Sequence, residues 1–445
     1  MTNDMTVGNP TKLILKFIIP LLIGNIFQQF YSMVDTIIVG RFVGLNALGG
    51  VGATGSINFL ILGFAMGLTS GFAIPIAQSF GANDYSRMRQ YVINSTYLCI
   101  LWTIIITIFS TALLKPLLKI MQTPEVNFNY AYDYMYIILL GTFANIAYNM
   151  TSGILRSLGD TKTPLYFLIL ASIINIVLDL IFIIYFNMGV YGAGLATVIS
   201  QGISALLCIF YMGKKFTILK MEKDDFKYCQ KSINILNKIG IPMASQFSVI
   251  AVGSILLQSA VNSLGEIAVA AYSAACKIEQ LAIQPFSTLG IAAATYTGQN
   301  LGAGKIDRIK EGMKKTMLIG LISCLVCGFL IISFADPLIN MFMPSGENNI
   351  LVLNYSKQYL IWICSFFIPL MLLIIYRSAL QGLGDGLTPM ISGIIELIGR
   401  VGVAMALTPK IQFLAICLAP PAAWVGAAII LTGTYIHKIK KLEQR

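Results

Sequence analysis

The stretch LRSLGDTKTP at residues 155–164 returns 225 positions later as LQGLGDGLTP at residues 380–389, with six of the ten residues identical. An earlier stretch, QSFGANDYSRMR at 78–89, has a similar counterpart in QNLGAGKIDRIK at 299–310. Chance similarity is common among apolar segments, but ordered matches of polar residues and glycines are not. The order and spacing of these matches predict that the chain consists of two related halves.

The composition of the chain indicates the surroundings in which these halves fold. Of 445 residues, 57% are hydrophobic and only 11% are charged, against about 25% charged in soluble domains. So few charges cannot cover the surface of a soluble protein of this length. This excludes a soluble enzyme, a disordered chain and a secreted disulfide scaffold, and the sequence therefore predicts an integral membrane protein.

Twelve apolar stretches are long enough to cross a bilayer, whose core of about 30 Å requires about 20 helical residues. They lie at roughly 13–38, 47–72, 91–113, 130–150, 164–186, 190–211, 241–262, 267–295, 316–334, 352–376, 389–408 and 411–435. The first stretch follows a polar segment and has no small-residue cleavage site. We therefore expect a retained helix rather than a signal peptide.

The twelve stretches divide six and six between the repeats, so both halves cross the membrane in the same orientation. We expect an all-α integral membrane protein with 12 transmembrane helices in two pseudo-symmetric six-helix lobes. Residues 1–211 would form the N-lobe, 212–238 a partly helical cytoplasmic linker, and 239–445 the C-lobe with a short cytoplasmic tail. Repeats of this kind are typical of transporters, which bind substrate between them.

The positive charges predict the orientation of the chain. Lys and Arg concentrate on the cytoplasmic side of membrane proteins. With both termini inside the cell, 23 of the 30 Lys and Arg residues fall on the cytoplasmic side and five outside. We therefore expect a multi-pass protein of the cell membrane with cytoplasmic termini, and the net charge of +11 requires no nucleic-acid partner.

The residues that carry enzyme chemistry are scarce. The single histidine, His437, lies in the tail, and the C-x-x-C pair of Cys324 and Cys327 lies within an apolar stretch, where small packing residues are the expected reading. The sequence contains no Walker loop for ATP-driven transport. We expect a transporter without a cofactor rather than an enzyme.

Polar residues inside the predicted spans are the candidate functional groups, because ionisable residues in lipid are costly. Asn175 and Asp179 are four residues apart and share a helix face, and Thr197 lies as far beyond the following hairpin as Asp179 lies before it. Asp35 is near the outer end of the first span. Two carboxylates, an amide and a hydroxyl at one depth predict an oxygen-rich cation site or a proton-binding pair, while hydrogen bonds that only pack the helices are the alternative.

The second half lacks this set. Glu396 and Arg400 are four residues apart, which predicts a local ion pair. Glu279 would either attract cationic substrates or pair with Lys277 or a neighbouring helix. In the first span, Pro20 interrupts the helical hydrogen bonding, which permits a hinge coupled to Asp35 or only a fixed kink.

The repeated GD-x-x-TP motif predicts a turn between two helices. Gly159 and Gly384 suit the end of one helix, where a positive φ is required. Thr163 and Thr388, each followed by proline, suit the N-cap of the next helix. A structural turn is the favoured interpretation, with a gating role for the aspartates of the motif as the alternative.

Taken together, these motifs resemble the multidrug and toxic compound extrusion (MATE) family over essentially the whole chain. The resemblance is carried by IPLLIGNIFQQFYSMVDTIIVGRFVG, by AQSFGAN with its echo GQNLGAG, by the two GD-x-x-TP stretches and by INIVLDLIF. It implies two lobes in a V around a central cavity. It also implies export of organic cations and other amphipathic compounds in exchange for H⁺ or Na⁺.

The resemblance assigns roles to particular residues. Asp35, Asn175, Asp179 and Thr197 match the coupling site of the branch that has an N-lobe ion site, with H⁺ and Na⁺ both open, and Pro20 matches the proline where helix 1 of that branch bends. The seventh span has no acidic residue, unlike the NorM-type branch, so the DinF-like branch fits better. We expect the protein to be a monomer. Helix position suggests further residues that line a substrate cavity: Gln29, Tyr136, Asn149, Gln246, Gln258, Tyr272, Glu279 and Gln284.

One alternative function belongs to a different class. A lipid-linked oligosaccharide flippase has a related fold and typically carries several cationic residues in its cavity to hold pyrophosphate. Here only Lys277 and Arg400 are predicted to lie within the helices, which favours a drug transporter.

Overall fold

A computed structural model describes residues 4–121, 123–342 and 349–444 of the chain. It is built from helices joined by short turns. The helices are α1 (Pro10–Phe42), α2 (Leu45–Ala53), α3 (Gly55–Gly81), α4 (Tyr85–Ile120), α5 (Glu125–Leu140), α6 (Thr142–Ser157), α7 (Lys162–Leu180), α8 (Gly189–Lys215), α9 (Gln230–Asn262), α10 (Glu266–Gly302), α11 (Ile306–Ser333), α12 (Ala335–Asn340), α13 (Asn349–Ser365), α14 (Phe367–Gly382), α15 (Leu387–Ile411) and α16 (Phe413–Glu443). One π-helical turn, Ile181–Tyr185, continues α7.

The helices agree with the predicted spans, and the all-helical membrane fold is confirmed. Within the described ranges, nine helices are long and apolar enough to cross a membrane, and two bent helix pairs bring the number to 11. Each predicted stretch lies on a helix or on a pair of consecutive helices. The twelfth predicted span, 267–295, is not among these 11 and lies on α10, a helix of 37 residues.

The spans predicted at 130–150 and 352–376 are not single straight helices. The first bends by 49° between α5 and α6, and the second by 53° between α13 and α14. The bends fall at Gly141 and Phe366, equivalent positions of the two repeats. At Gly141 the helix passes close to α8, since a Cβ there would lie 2.1 Å from a methyl carbon of Val198. Only glycine permits this approach.

The chain forms two compact units. Unit 1 comprises Met1–Met5 and Lys16–Ser248, and unit 2 comprises Thr6–Leu15 and Val249–Arg445. The first half of α9 belongs to unit 1 because glycines of α3 allow it to approach closely: a Cβ on Gly71 would lie 2.5 Å from the Cα of Gly240. Small residues at such crossings are typical of membrane helices. The lobe boundaries predicted from the repeats stay a prediction.

The segment after α8 is held against α4. Arg89 donates from Nε to Asp225 at 2.6 Å and from Nη2 to Glu222 at 3.2 Å. Further along, the Cys229 amide donates to the Asn94 side chain at 3.1 Å. Asp225 is buried, so this polar segment is fixed to unit 1 by side chains of α4.

For the GD-x-x-TP turns, the structure confirms the prediction for the glycines and contradicts the prediction for the threonines. Gly159 and Gly384 have φ values of 78° and 81°, as predicted. The threonines are not the caps, because each helix begins before its threonine. Instead, Oδ1 of Asp160 accepts from the Lys162 and Thr163 amides at 3.1 Å. Asp385 does the same for α15.

Asp385 also pairs with Lys438 on α16. Partial burial acts to raise the pKa of Asp385, but hydrogen bonds from Lys438 and Thr388 outweigh it and hold the pKa below its usual range. The charged carboxylate therefore ties the α14–α15 turn to the C-terminal helix.

Candidate ion-coupling site

The four residues of the predicted N-lobe set lie together inside unit 1. Asp35 comes from α1, Asn175 and Asp179 from α7, and Thr197 from α8. All four side chains are buried, and Asn175 and Asp179 are 0% exposed. Asp179 on α7 and Thr197 on α8 are equally far from the hairpin that joins these helices. The two side chains therefore lie at the same depth, as the sequence predicted.

The Asn175 amide fits between its neighbours in two orientations. In one, Nδ2 donates to Thr197 Oγ1 at 3.4 Å, and the Thr197 hydroxyl donates to the Ala193 carbonyl at 3.1 Å. In the other, the amide nitrogen donates to Asp179 Oδ2 and the amide oxygen accepts from the Thr197 backbone N–H, both at 3.2 Å. The second orientation satisfies both ends of the amide and joins α7 to α8.

The two carboxyl groups are the centre of the site. Those of Asp35 and Asp179 interact directly with each other. The Oδ1 atom of each is buried and has no hydrogen-bond partner among the described residues. Two unit charges about 4 Å apart repel by about 4 kcal/mol at an effective dielectric constant of 20. The pair is therefore suited to hold a proton or a cation between its oxygens.

Two tyrosines complete the cluster, and sequence reasoning missed them as site residues. The Tyr31 hydroxyl lies close to Thr197 and to both aspartates. Tyr134 of α5 is buried beside the same two carboxyl groups. Tyr31 precedes Asp35 by one helical turn, the spacing that linked Asn175 to Asp179, and this signal was sufficient to find it.

The side-chain donor atoms that Asp35, Asn175, Asp179 and Thr197 offer include oxygens that suit a hard cation. No group of three or more His, Cys, Asp or Glu side chains in the described part of the chain could hold a metal ion. Carboxylate, amide and hydroxyl oxygens are ligands of hard cations, and the unpartnered Oδ1 atoms of Asp35 and Asp179 are free to serve as ligands. The same atoms would bind a proton.

Pro20 is buried in α1, which is helical on both sides of it. The proline lacks the N–H that would close the helical turn before it. The helix passes from unit 2 to unit 1 between Leu15 and Lys16, just over one turn before Pro20. A hinge at this position stays a prediction.

Glu279 in unit 2 does not pair with Lys277. The Tyr359 hydroxyl donates to Glu279 Oε2 at 2.8 Å, and the Tyr272 ring meets the Tyr359 ring edge-on at 5.4 Å. The Lys277 ammonium instead lies 5.5 Å from the centre of the Phe342 ring. Tyr359 is the repeat counterpart of Tyr134, so each unit places the equivalent tyrosine beside an acidic group.

The predicted ion pair between Glu396 and Arg400 is wrong. Glu396 binds Arg377 of α14, which is buried, with 8% of its surface exposed. Packing of α14 against α15 supplies this partner, which spacing along one helix could not show. Arg400 has a buried Nε without a partner in the described ranges.

The other predicted cavity residues divide between the two units. Gln29, Tyr136, Asn149 and Gln246 belong to unit 1, and Gln258, Tyr272 and Gln284 to unit 2. Several have local partners: Asn149 donates to Asn145 Oδ1 at 3.0 Å, and Gln258 donates to Asn262 at 2.9 Å. Their role in substrate binding stays a prediction.

The chain matches a known protein family in two segments, one in each repeat. The sequence profile of the MatE family matches residues 20–181 and 242–405. The chain is 31% identical over 370 residues to the probable multidrug resistance protein YpnP of Bacillus subtilis (strain 168), covering 82% of this chain and 80% of the relative. It is 26% identical over 435 residues to YoeA, a second probable multidrug resistance protein of that organism, covering 96% of this chain and 93% of the relative.

A solved structure has the same fold. The crystal structure of MATE in complex with MaL6 superposes with a TM-score of 0.92 at 24% sequence identity, covering 100% of this chain and 99% of that one. The apolar helices and the family match together define a multi-pass membrane transporter. The chain belongs to the MatE family. Its place in the DinF-like branch stays a prediction.

Proposed function

We propose that this protein is a secondary multidrug efflux antiporter. It would export organic cations and other amphipathic compounds in exchange for H⁺ or Na⁺ by alternating access, as a monomer with both termini in the cytoplasm and without a cofactor. The observation that carries the proposal is the buried Asp35–Asp179 pair with its unpartnered oxygens. The names of the two Bacillus relatives, probable multidrug resistance proteins, support the substrate class.

The coupling follows from the repulsion within the pair. A proton or Na⁺ bound between the carboxyl groups removes this repulsion, so the ion favours the arrangement in which α1 lies close to α7. Loss of the ion favours an arrangement in which the two carboxylates separate. An antiporter requires that ion and drug favour different states, since a ligand shifts an equilibrium only by its differential affinity for them.

The test is transport by the purified protein in proteoliposomes loaded with a fluorescent cation. A pH gradient is imposed with and without Na⁺, and a Na⁺ gradient is imposed at constant pH. We expect dye transport that depends on one of these gradients and collapses when an ionophore dissipates it. Dye transport of equal rate with and without both gradients would exclude antiport.

A second prediction concerns Glu279, where the Tyr359 hydroxyl already orients the carboxylate. If this group attracts the positive charge of substrates, Glu279→Gln should raise the KM for a cationic dye by about 10- to 150-fold, because a charged hydrogen-bonding partner contributes roughly 1.5–3 kcal/mol. The KM for a neutral amphipathic substrate should stay unchanged. Glu266→Gln, at an exposed position of the same helix, is the matched control. An equal rise for both substrates would show that Glu279 is only structural.

A further inference from the structure

A groove of about 400 Å³ lies on unit 1, away from the ion-coupling site. It is lined by Phe167 of α7 and by Leu207, Phe210, Tyr211, Lys214 and Lys215 of α8. The Phe167 and Tyr211 rings meet edge-on at 6.0 Å and form one wall. Phe210 is 70% exposed, and on a membrane-spanning helix such a ring faces lipid.

The groove has an apolar body and a basic end. Phe167 follows the start of α7 by about one turn, and Lys214 and Lys215 end α8. A hairpin joins these helices at their other ends, so both groups lie near one membrane surface, which is the cytoplasmic surface in the proposed orientation. The apolar part of the groove therefore extends into the bilayer from a pair of ammonium groups at the interface.

Among the described residues, Lys214 and Lys215 have no acidic partner. Neither forms an ion pair within the ranges that the structure describes. The Lys214 ammonium lies 5.9 Å from the centre of the Phe210 ring, at the mouth of the groove. Juxtamembrane lysines attract anionic lipids, and the negative C-terminal end of α8 favours positive charge at this place.

We propose that this groove binds an anionic phospholipid, with an acyl chain along Phe167, Leu207, Phe210 and Tyr211 and the headgroup phosphate between Lys214 and Lys215. The apolar lining excludes a free phosphate as the natural occupant, since it offers that ion nothing beyond the two exposed charges. A lipid matches both ends of the groove. Its binding would add a lipid requirement to the proposed transport function without involving the Asp35–Asp179 pair.

The test measures lipid retained by the purified full-length protein in native mass spectrometry, titrated with phosphatidylglycerol or phosphatidylcholine. Lys214→Gln/Lys215→Gln removes the charges, and Phe210→Ala removes an exposed wall of the groove. Lys440→Gln/Lys441→Gln, at two exposed lysines in the last turn of α16, makes the same change of charge elsewhere. Glycerol phosphate serves as a competitor without acyl chains.

We expect the first double variant to bind phosphatidylglycerol about thirtyfold more weakly, from about 1 kcal/mol for each juxtamembrane lysine. Phe210→Ala should weaken the binding of both lipids, and the control pair should bind like the parent protein. The proposal is overturned if the control pair loses as much binding as the first, if the two lipids bind the parent equally, or if glycerol phosphate displaces the lipid while Phe210→Ala has no effect. A dimer that persists in place of bound lipid would also overturn it.

Discussion

Replacing Asp179 with asparagine is expected to reduce ion-coupled drug efflux to the background of empty vesicles. The substitution keeps the shape of the side chain but removes the charge that a proton or Na⁺ would neutralise. The Asn175 amide and the Thr197 hydroxyl remain, yet neither can change its charge with pH or balance that of Na⁺. The measurement is the initial rate of dye transport in proteoliposomes under the gradient that drives the parent protein.

Controls separate loss of coupling from loss of folding. Asp133→Asn makes the same change at an exposed position of unit 1 and should transport at the parent rate. Asp35→Asn should lose ion-coupled transport as Asp179→Asn does. With only one carboxylate left, there is no repulsion for a bound ion to remove, so ion binding no longer changes the conformation. Gradient-driven transport at parent rates in both aspartate variants would refute the proposed coupling site. Transport of dye down its own gradient checks that the variants are folded.

Replacing Arg377 with methionine should lower the free energy of unfolding by about 3–5 kcal/mol, the usual cost of leaving one member of a buried ion pair without its partner. Arg377 and Glu396 are both more than nine-tenths buried, and Arg377 also donates to Ser392 at 3.4 Å. The unfolding transition of the detergent-purified protein can be followed by the exposure of its buried cysteines, such as Cys99, Cys208 and Cys417.

The double variant Arg377→Met/Glu396→Leu provides the contrast. Removing both charges leaves no uncompensated ion, so stability should return most of the way to that of the parent protein. Arg41→Met, at an exposed position, should change stability little. If Arg377→Met were as stable as Arg41→Met, or if the double variant were no more stable than the single one, the pair would not hold α14 to α15.

Local spacing along the chain was a good guide wherever the partner lies on the same helix or across one hairpin. Asn175 and Asp179 share a helix face by their separation, and the short hairpin brings Thr197 to the same level, so these three residues were found together from sequence. Asp35 joined them because of its depth in the first span. The same spacing predicts that Tyr31 lies near Asp35, since the two residues are one helical turn apart.

Spacing failed where a partner comes from another helix. Glu396 has an arginine one turn away on α15, yet it binds Arg377 because packing of α14 brings that side chain closer. For Glu279 the sequence left open whether it attracts substrates or pairs with Lys277 or a neighbouring helix. In the structure its hydrogen-bond partner is Tyr359 of α13. The threonines of the repeated turns were wrongly assigned as caps, because the helices begin early enough for the preceding aspartate side chains to reach the free amides.

The sequence by itself determined the membrane class, the two repeats and the four residues of the candidate coupling site, because these depend on composition, on order along the chain and on helical period. Only the tertiary structure decided which charges are neutralised and which are left free. Arg377 is paired with Glu396, whereas the Asp35 and Asp179 carboxylates face each other with unpartnered oxygens. The physical reason is that desolvation and partner distance set the cost of a buried charge, and both depend on how helices far apart in the chain pack together.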